Sequence, residues 1–196
     1  EEKYNYLMSG CIEKNIFQGK RPYIIILALG LIVYFQTLFF DFSYLDDNSL
    51  ILDNFGFISN FSNFFEAFRQ DVFLSFADSY YRPIMTISLM LDAQIGGNNP
   101  FIYHLTNIVI HLISSCLVFL FFTKLNYRKE ISFFFSLVFA VIPVLSQAVG
   151  WIPGRNDSLL ALFVLSSFIF FLKFIESSKN NFFWGHLTFF SLALFT

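Results

Sequence analysis

Five apolar runs, separated by polar segments, make up most of this chain. A helix of about 20 apolar residues spans the hydrocarbon core of a bilayer. We therefore predict membrane-spanning helices at about residues 22–40, 101–122, 131–149, 159–174 and 182–196. Pro22 suits the first turn of the first helix. The predicted fold class is an all-α polytopic membrane helix bundle.

The polar segments between these runs are predicted to form loops at residues 41–100 and 150–158. Within the long loop, phenylalanines repeat at helical spacing over Phe61–Phe76, which predicts an amphipathic helix lying in the membrane interface. A second such helix is predicted over Ile84–Ile95, after Pro83. The sequence Gly-Gly-Asn-Asn-Pro at 96–100 is expected to end it.

Composition supports a membrane protein and excludes other classes. The chain has 196 residues, of which 56% are hydrophobic and only 13% are charged. A soluble domain carries roughly 25% charged residues. The net charge of −2, without any basic run, gives no support for nucleic-acid binding. The chain begins at Glu1 rather than Met and ends inside an apolar run at Thr196, so we expect a fragment of a longer protein.

The basic residues predict an orientation, because cytosolic loops are enriched in Lys and Arg. With residues 1–20 as a cytosolic tail, nine of the 12 basic residues lie inside and three lie outside. The inside set is Lys3, Lys14, Lys20, Arg21, Lys124, Arg128, Lys129, Lys173 and Lys179, and the outside set is Arg69, Arg82 and Arg155. Both loops, 41–100 and 150–158, are then outside, in the periplasm of a bacterium or in the lumen of the endoplasmic reticulum of a eukaryote.

The polar residues inside the second apolar run share one helical face, since they step by three and four positions. They are His104, Asn107, His111 and Ser114 or Ser115. Hydrogen bonding between helices is the favoured interpretation. A metal site is not predicted, because seven positions separate the two histidines along the helix.

Three motifs carry a resemblance to a known family. They are Tyr-Arg-Pro at 81–83, Gly-Gly-Asn-Asn-Pro at 96–100 followed by His104 and Asn107, and Gly-Trp-Ile-Pro-Gly-Arg-Asn-Asp at 150–157. In this order and spacing they resemble the membrane domain of the transmembrane and tetratricopeptide-repeat O-mannosyltransferases, which is a C-type glycosyltransferase domain. The resemblance covers about residues 20 to 196, and any tetratricopeptide repeats are expected beyond Thr196.

The resemblance implies transfer of a mannose-like sugar, with inversion, from a polyprenyl or dolichyl phosphate donor to a protein Ser or Thr hydroxyl. A carboxylate can accept the acceptor proton, and arginines can stabilise charge on the leaving phosphate. The implied roles are base for Asp47 or its neighbour Asp46, donor phosphate binding for Arg82 and Arg155, and lining of the cleft for Asp157, His104 and Asn107. No cofactor is required on these grounds, and the need for a divalent metal stays open. The implied partners are the lipid-linked donor, a protein or glycan acceptor and the bilayer.

Alternatives stay open at this point. The family commonly has His-Pro-x-His-Thr-Glu where this chain has Ile142-Pro-Val-Leu-Ser-Gln147, which would suit a different substrate or a degenerate site. A related enzyme that glycosylates a lipid or a glycan is one alternative. A non-catalytic or transport protein is another, although a transporter would be expected to hold ionisable groups deep within its spans, whereas here the carboxylates lie in loops and only His104 and His111 lie within a span. The Asp46-Asp47 pair could also be a solvated helix cap.

Overall fold

A computed structural model describes residues 17–44, 46–74 and 80–196. Most of the predicted tail, residues 1–16, therefore lies outside the described residues, as does Asp78 of the long loop. All regular structure in the described ranges is helical, which confirms the predicted all-α helix bundle.

Eight α-helices follow one another along the described chain. They are α1 (Arg21–Tyr34), α2 (Phe55–Ile58), α3 (Pro83–Gly96), α4 (Pro100–Lys124), α5 (Lys129–Val141), α6 (Ser146–Gly150), α7 (Arg155–Ser177) and α8 (Asn180–Leu194). Helix α1 is extended by a 3₁₀-helix at Phe35–Phe39.

Three of these helices are long and apolar enough to cross a membrane, namely Arg21–Phe39, Pro100–Lys124 and Ile152–Ser177. A fourth span is formed if α5 and the segment Pro143–Gly150 are counted together. Helix α4 lies at the centre, where it packs against α1, α3, α5 and α7, and α8 packs on α7. Short turns join α4 to α5 and α7 to α8, so these turns share one end of the bundle. The opposite end, which we call the loop end, carries the described residues of 41–99 and residues 142–154.

The helix boundaries at the loop end follow from proline, asparagine and glycine. Pro83 and Pro100 begin α3 and α4, where the missing backbone N–H costs no hydrogen bond. The Asn99 side chain caps α4 by accepting a hydrogen bond of 3.1 Å from the Phe101 backbone N–H. Gly97 ends α3 with a φ of +58°, which glycine adopts without strain. Two motifs of the family resemblance therefore mark the starts of α3 and α4.

The third predicted span is bent rather than straight. Helix α5 and the segment Pro143–Gly150 meet at an angle of 48°. Pro143 disfavours helical geometry in the residue before it, and Ile142 is extended, with φ −63° and ψ 127°. The bend turns α6 across the loop end of the bundle, beside α4.

The second loop is shorter than the predicted 150–158. Ile152–Gly154 forms a 3₁₀-helix, and α7 begins directly at Arg155. The helix over the fourth predicted span is thus 23 residues long, not about 16. Gly154 permits the tight turn, because a Cβ there would collide with the backbone of Gln147 and Ala148.

The predicted amphipathic helix over Phe61–Phe76 is wrong for the described residues. The chain forms two 3₁₀-helices there, at Phe61–Phe64 and Glu66–Phe68. Local hydrogen bonds compete with a continuous helix, since the Asn60 side chain accepts from the Ser62 N–H (3.1 Å) and Asn63 donates to the Phe57 carbonyl (3.0 Å). The second predicted helix, Ile84–Ile95, is confirmed as α3.

The described part of the long loop folds into a unit with an apolar core. Buried side chains from the loop pack against one face of α3 and against the first turn of α4. They include Leu50, Ile51, Ile58, Ala67 and Val72 from the loop and Met85, Leu89, Met90 and Ala93 from α3. This unit covers the loop end of the bundle and forms part of the cavity described next.

Candidate active site

A polar cavity of about 520 Å³ lies at the loop end, between the long loop, α3 and the start of α7. Three of the predicted site residues line it: Asp46, Arg82 and Asp157. The other lining residues are Leu50, Val72, Phe73, Tyr80, Met85, Trp151, Pro153, Gly154 and Asn156. Two carboxylates and a guanidinium thus face one space walled by aromatic and apolar side chains. We call this space the polar cavity.

Each charged group reaches the polar cavity from a different element. Asp46 lies just before a π-helical turn at Asn48–Leu52. Arg82 immediately precedes α3, and its guanidinium carbon lies 5.4 Å from the centre of the Tyr80 ring, in cation–π contact. Asp157 lies in the first turn of α7, where the helix dipole favours a negative charge.

Asp47 is buried and does not line the polar cavity. One carboxylate oxygen, Oδ2, accepts hydrogen bonds from the Ser43 backbone N–H (2.6 Å) and the Ser43 hydroxyl (2.8 Å). The other oxygen, Oδ1, has no hydrogen-bond partner among the described residues. Burial raises the pKa of Asp47 above its ordinary value, and the Ser43 hydrogen bonds and the nearby His104 oppose that rise.

His104 and Asn107 are also buried in α4, away from the wall of the polar cavity. Asn107 donates to the backbone carbonyls of Val149, Trp151 and Ile152 at 3.3, 3.1 and 3.4 Å. His111 lies 3.1 Å from the Ala140 carbonyl. The prediction that this stripe bonds between helices is therefore confirmed for Asn107 and His111.

Arg155, predicted to bind the donor phosphate, is completely buried, with 0% of its surface exposed. Its Nη2 lies 2.6 Å from Asp92 Oδ2 and 2.8 Å from the Tyr103 carbonyl. Its Nη1 donates to the Ser88 hydroxyl (2.9 Å) and its Nε to Asn107 Oδ1 (2.7 Å). The guanidinium is thus surrounded by protein acceptors and lies behind the cavity wall. This geometry favours a structural role over phosphate binding.

Asp92 is the residue of this site that sequence reasoning missed. It is buried in α3, and besides Arg155 it accepts a hydrogen bond of 2.7 Å from the Thr106 hydroxyl. Burial raises the pKa of Asp92, while Arg155 and Thr106 oppose that rise. The signal was present in the sequence: Asp92 shares a helical face with Leu89 and Met85, and a carboxylate on an apolar face needs a buried partner.

A second cavity, of about 510 Å³, opens beside the first. It lies between the outer part of the first span and α6. Its lining residues carry no charge: Val33, Tyr34, Gln36, Thr37, Phe40, Ser146, Gln147, Gly150 and Trp151. Trp151 lines both cavities and so forms the wall between them. Within the described ranges, no group of three or more His, Cys, Asp or Glu side chains is placed to hold a metal ion.

Comparison with known proteins gives relatives of one kind. The chain is 35% identical over 150 residues to mouse "Protein O-mannosyl-transferase TMTC2", which covers 74% of this chain and 18% of that protein. It is 31% identical over 173 residues to Caenorhabditis elegans "Protein O-mannosyl-transferase F38B6.6", covering 82% of this chain and 24% of the relative. Human "Protein O-mannosyl-transferase TMTC3" is 30% identical over 181 residues, covering 88% and 19%.

The chain thus spans less than a quarter of the length of these curated relatives. No protein-family profile matches it. No solved structure matches it either.

Proposed function

The chain is a homologue of the TMTC protein O-mannosyl-transferases over most of its length, and from that premise we propose that the protein is a membrane glycosyltransferase. It moves a mannose-like sugar from a polyprenyl or dolichyl phosphate donor to the hydroxyl of a protein Ser or Thr, with inversion at the anomeric carbon. The names of the relatives, protein O-mannosyl-transferases, support the sugar and the protein acceptor.

The polar cavity is the observation that carries this proposal. It brings Asp46, Arg82 and Asp157 together at the loop end of apolar spans. Transfer from a lipid phosphate requires a base for the acceptor hydroxyl, a cation for the leaving phosphate, and a position beside the bilayer. The cavity offers two carboxylates that can serve as the base and a guanidinium that can face the phosphate, next to the apolar spans.

In the proposed reaction, Asp46 accepts the proton of the acceptor hydroxyl while its oxygen attacks the anomeric carbon. The bond between that carbon and the phosphate oxygen breaks, and the lipid phosphate leaves with the bonding electron pair. Arg82 stabilises the charge that develops on this phosphate. A single displacement inverts the anomeric configuration, as in inverting glycosidases. Asp157 lines the same space as a second acidic group.

Asp46 is preferred to Asp47 as the base because its side chain lines the cavity. Asp47 is 1% exposed and turned toward Ser43, so an acceptor hydroxyl would reach it only after a rearrangement. Asp47 stays the alternative base. His104 and Asn107 are proposed to support the cavity from behind, since both are buried in α4.

The distribution of basic residues supports a cavity that faces away from the cytosol. The turn end of the bundle carries Lys124, Arg128, Lys129, Lys173 and Lys179, whereas the basic residues of the loop end are Arg69, Arg82 and Arg155. Because cytosolic ends are enriched in Lys and Arg, we propose that the protein is an integral membrane protein with a cytosolic amino terminus and the polar cavity in the lumen or periplasm.

The test uses the full-length protein in lipid nanodiscs, with radiolabelled polyprenyl phosphate mannose and a pool of Ser- and Thr-rich peptides. Asp46→Asn is expected to lower kcat by roughly 10²- to 10⁴-fold, the usual effect of losing a general base. Asp53→Asn is the matched control, because Asp53 is an exposed acid of the same loop that does not line the cavity.

Three outcomes would change the proposal. If Asp46→Asn transfers sugar at the wild-type rate while Asp47→Asn does not, the base is Asp47. Label on lipid or glycan instead of peptide would identify a related enzyme with another acceptor. No turnover of the donor by folded wild-type protein would overturn the enzyme proposal.

A further inference from the structure

We propose that Arg155 and Asp92 form a buried clamp that fixes the walls of the polar cavity relative to one another. Under the proposed function, on which this inference rests, both are positioning residues for sugar transfer and neither touches the substrate. The clamp includes their hydrogen-bond partners Ser88, Thr106 and Asn107.

The clamp joins three helices through one side chain. Arg155 is the first residue of α7. It pairs with Asp92 in α3 at 2.6 Å and donates to Ser88 in the same helix at 2.9 Å. It also donates to Asn107 and to the Tyr103 carbonyl in α4, at 2.7 and 2.8 Å. Thr106 of α4 then closes the network by donating to Asp92 at 2.7 Å.

The same network reaches the turn that precedes α7. The Asn107 amide accepts from Arg155 through its oxygen and donates through its nitrogen to the Val149, Trp151 and Ile152 carbonyls. Trp151 lines the polar cavity and the second cavity. The clamp therefore also holds the turn that carries Trp151, whose side chain separates the two cavities.

Several residues that line the polar cavity lie on, or next to, the elements that the clamp joins. Arg82 immediately precedes α3, which contains Ser88 and Asp92. Asn156 and Asp157 follow Arg155 in the first turn of α7, and both line the cavity. A shift of the clamp would thus change the distance between the proposed phosphate cation and the opposite acidic wall. A displacement of about 1 Å can cost roughly 100-fold in rate.

Arginine is required by this geometry, because the planar guanidinium directs its donors to several acceptors at once. A lysine would keep the charge but offers a single ammonium group. Arg155→Lys is therefore expected to preserve the ion pair with Asp92 at best and to lose the bridge to Asn107 or Ser88.

The experiment compares Asp92→Asn and Arg155→Lys in the full-length protein in nanodiscs. Both are expected to lower kcat by roughly 10- to 100-fold per folded molecule, with the KM for the donor changed by less than about threefold. The double variant should be no worse than the more damaged single variant, since both changes break one network. Glu176→Gln is the matched control, because it removes another ion pair between α4 and α7, far from the cavity.

A second measurement, hydrogen–deuterium exchange, needs no activity. Asp92→Asn should speed exchange of the backbone amides of α3 and of residues 152–158, whereas Glu176→Gln should leave them unchanged. If Asp92→Asn does not fold, Thr106→Val removes only a neutral partner of Asp92, and it should produce a smaller change in the same peptides.

The outcomes separate this inference from the proposed function. A rise in donor KM with Arg155→Lys alone, while Asp92→Asn behaves as wild type, would identify Arg155 as a phosphate ligand and overturn the clamp. Unchanged exchange in folded Asp92→Asn, or in folded Thr106→Val where Asp92→Asn does not fold, would overturn it as well. If the wild-type protein transfers no sugar, but Asp92→Asn still speeds exchange in α3 and residues 152–158, the clamp is supported and the enzyme proposal is rejected.

Discussion

Each end of α7 carries an ion pair in which nitrogen and oxygen lie 2.6 Å apart, yet the surroundings of the two pairs have little in common. At the loop end, Arg155 and Asp92 are 0% and 3% exposed and share hydrogen bonds with neighbouring side chains. At the turn end, Lys124 and Glu176 are 29% and 51% exposed. Equal distance therefore does not mean equal energy, because water screens the second pair and not the first.

The difference teaches where this membrane protein uses charge for structure. A buried pair contributes little net stability over an apolar replacement, but losing one partner leaves an uncompensated charge. Such a pair is expected where geometry matters more than stability. The buried pair lies directly behind the polar cavity, whereas the exposed pair lies at the opposite end of the bundle, beside a turn.

Breaking the buried pair gives the largest expected effect on stability. Asp92→Asn should lower the free energy of unfolding by about 3–5 kcal/mol, because Arg155 remains buried without its counter-charge. The measurement is an SDS titration of the protein in bicelles. As the control, Asp92→Asn combined with Arg155→Met removes both charges and should recover most of the loss. A loss below about 1 kcal/mol, the size measured for exposed pairs, would contradict the comparison.

Asp47 sharpens the comparison, since it is a buried acid that has no cation within hydrogen-bond distance among the described residues. Burial raises its pKa, so the folded protein binds the proton more tightly than the unfolded chain does. The contribution of Asp47 to stability is therefore complete below its ordinary pKa and is lost as the pH rises through the raised value.

Asp47→Asn should accordingly match the wild type in acid and become the more stable protein at neutral pH. We expect a gain on the order of 1 kcal/mol, the lower end of the cost of an unsatisfied buried polar group. The check is the free energy of unfolding of both proteins between about pH 4 and pH 8. A variant that is less stable than the wild type at neutral pH would show that a further group in the folded protein compensates the Asp47 carboxylate.

Much of the fold could be predicted because the bilayer imposes one length on every span. The apolar runs at 22–40, 101–122 and 159–174 predicted the positions of α1, α4 and α7, and the helix expected just after Pro83 forms as α3. The helix expected over Phe61–Phe76 failed for a local reason. Asparagine side chains bond to nearby backbone there, and hydrophobic periodicity does not register that competition.

The candidate site could be predicted only in part. The loop residues Asp46, Arg82 and Asp157 lie in one cavity, as the motifs suggested. Sequence could not distinguish Asp46 from Asp47. The turn at Asn48–Leu52 that follows them is irregular, so no helical repeat shows which of the two side chains faces the cavity. The partnership of Arg155 with Asp92 was also hidden. It joins residues far apart in the chain, and no local pattern shows which acid faces which base.

The exposed pair gives the smallest expected effect and completes the comparison. Glu176→Gln keeps the shape of the side chain and removes only its charge, so the free energy of unfolding should fall by less than about 1 kcal/mol. That small loss should disappear when the salt concentration is raised from about 0.05 M to about 1 M, since the Debye length then shrinks to roughly 3 Å. The loss caused by Asp92→Asn should persist at both concentrations, because salt does not reach a pair with 0% and 3% exposure. Equal salt dependence of the two variants would mean that water enters the Arg155 site, and the two ends of α7 would then differ in degree and not in kind.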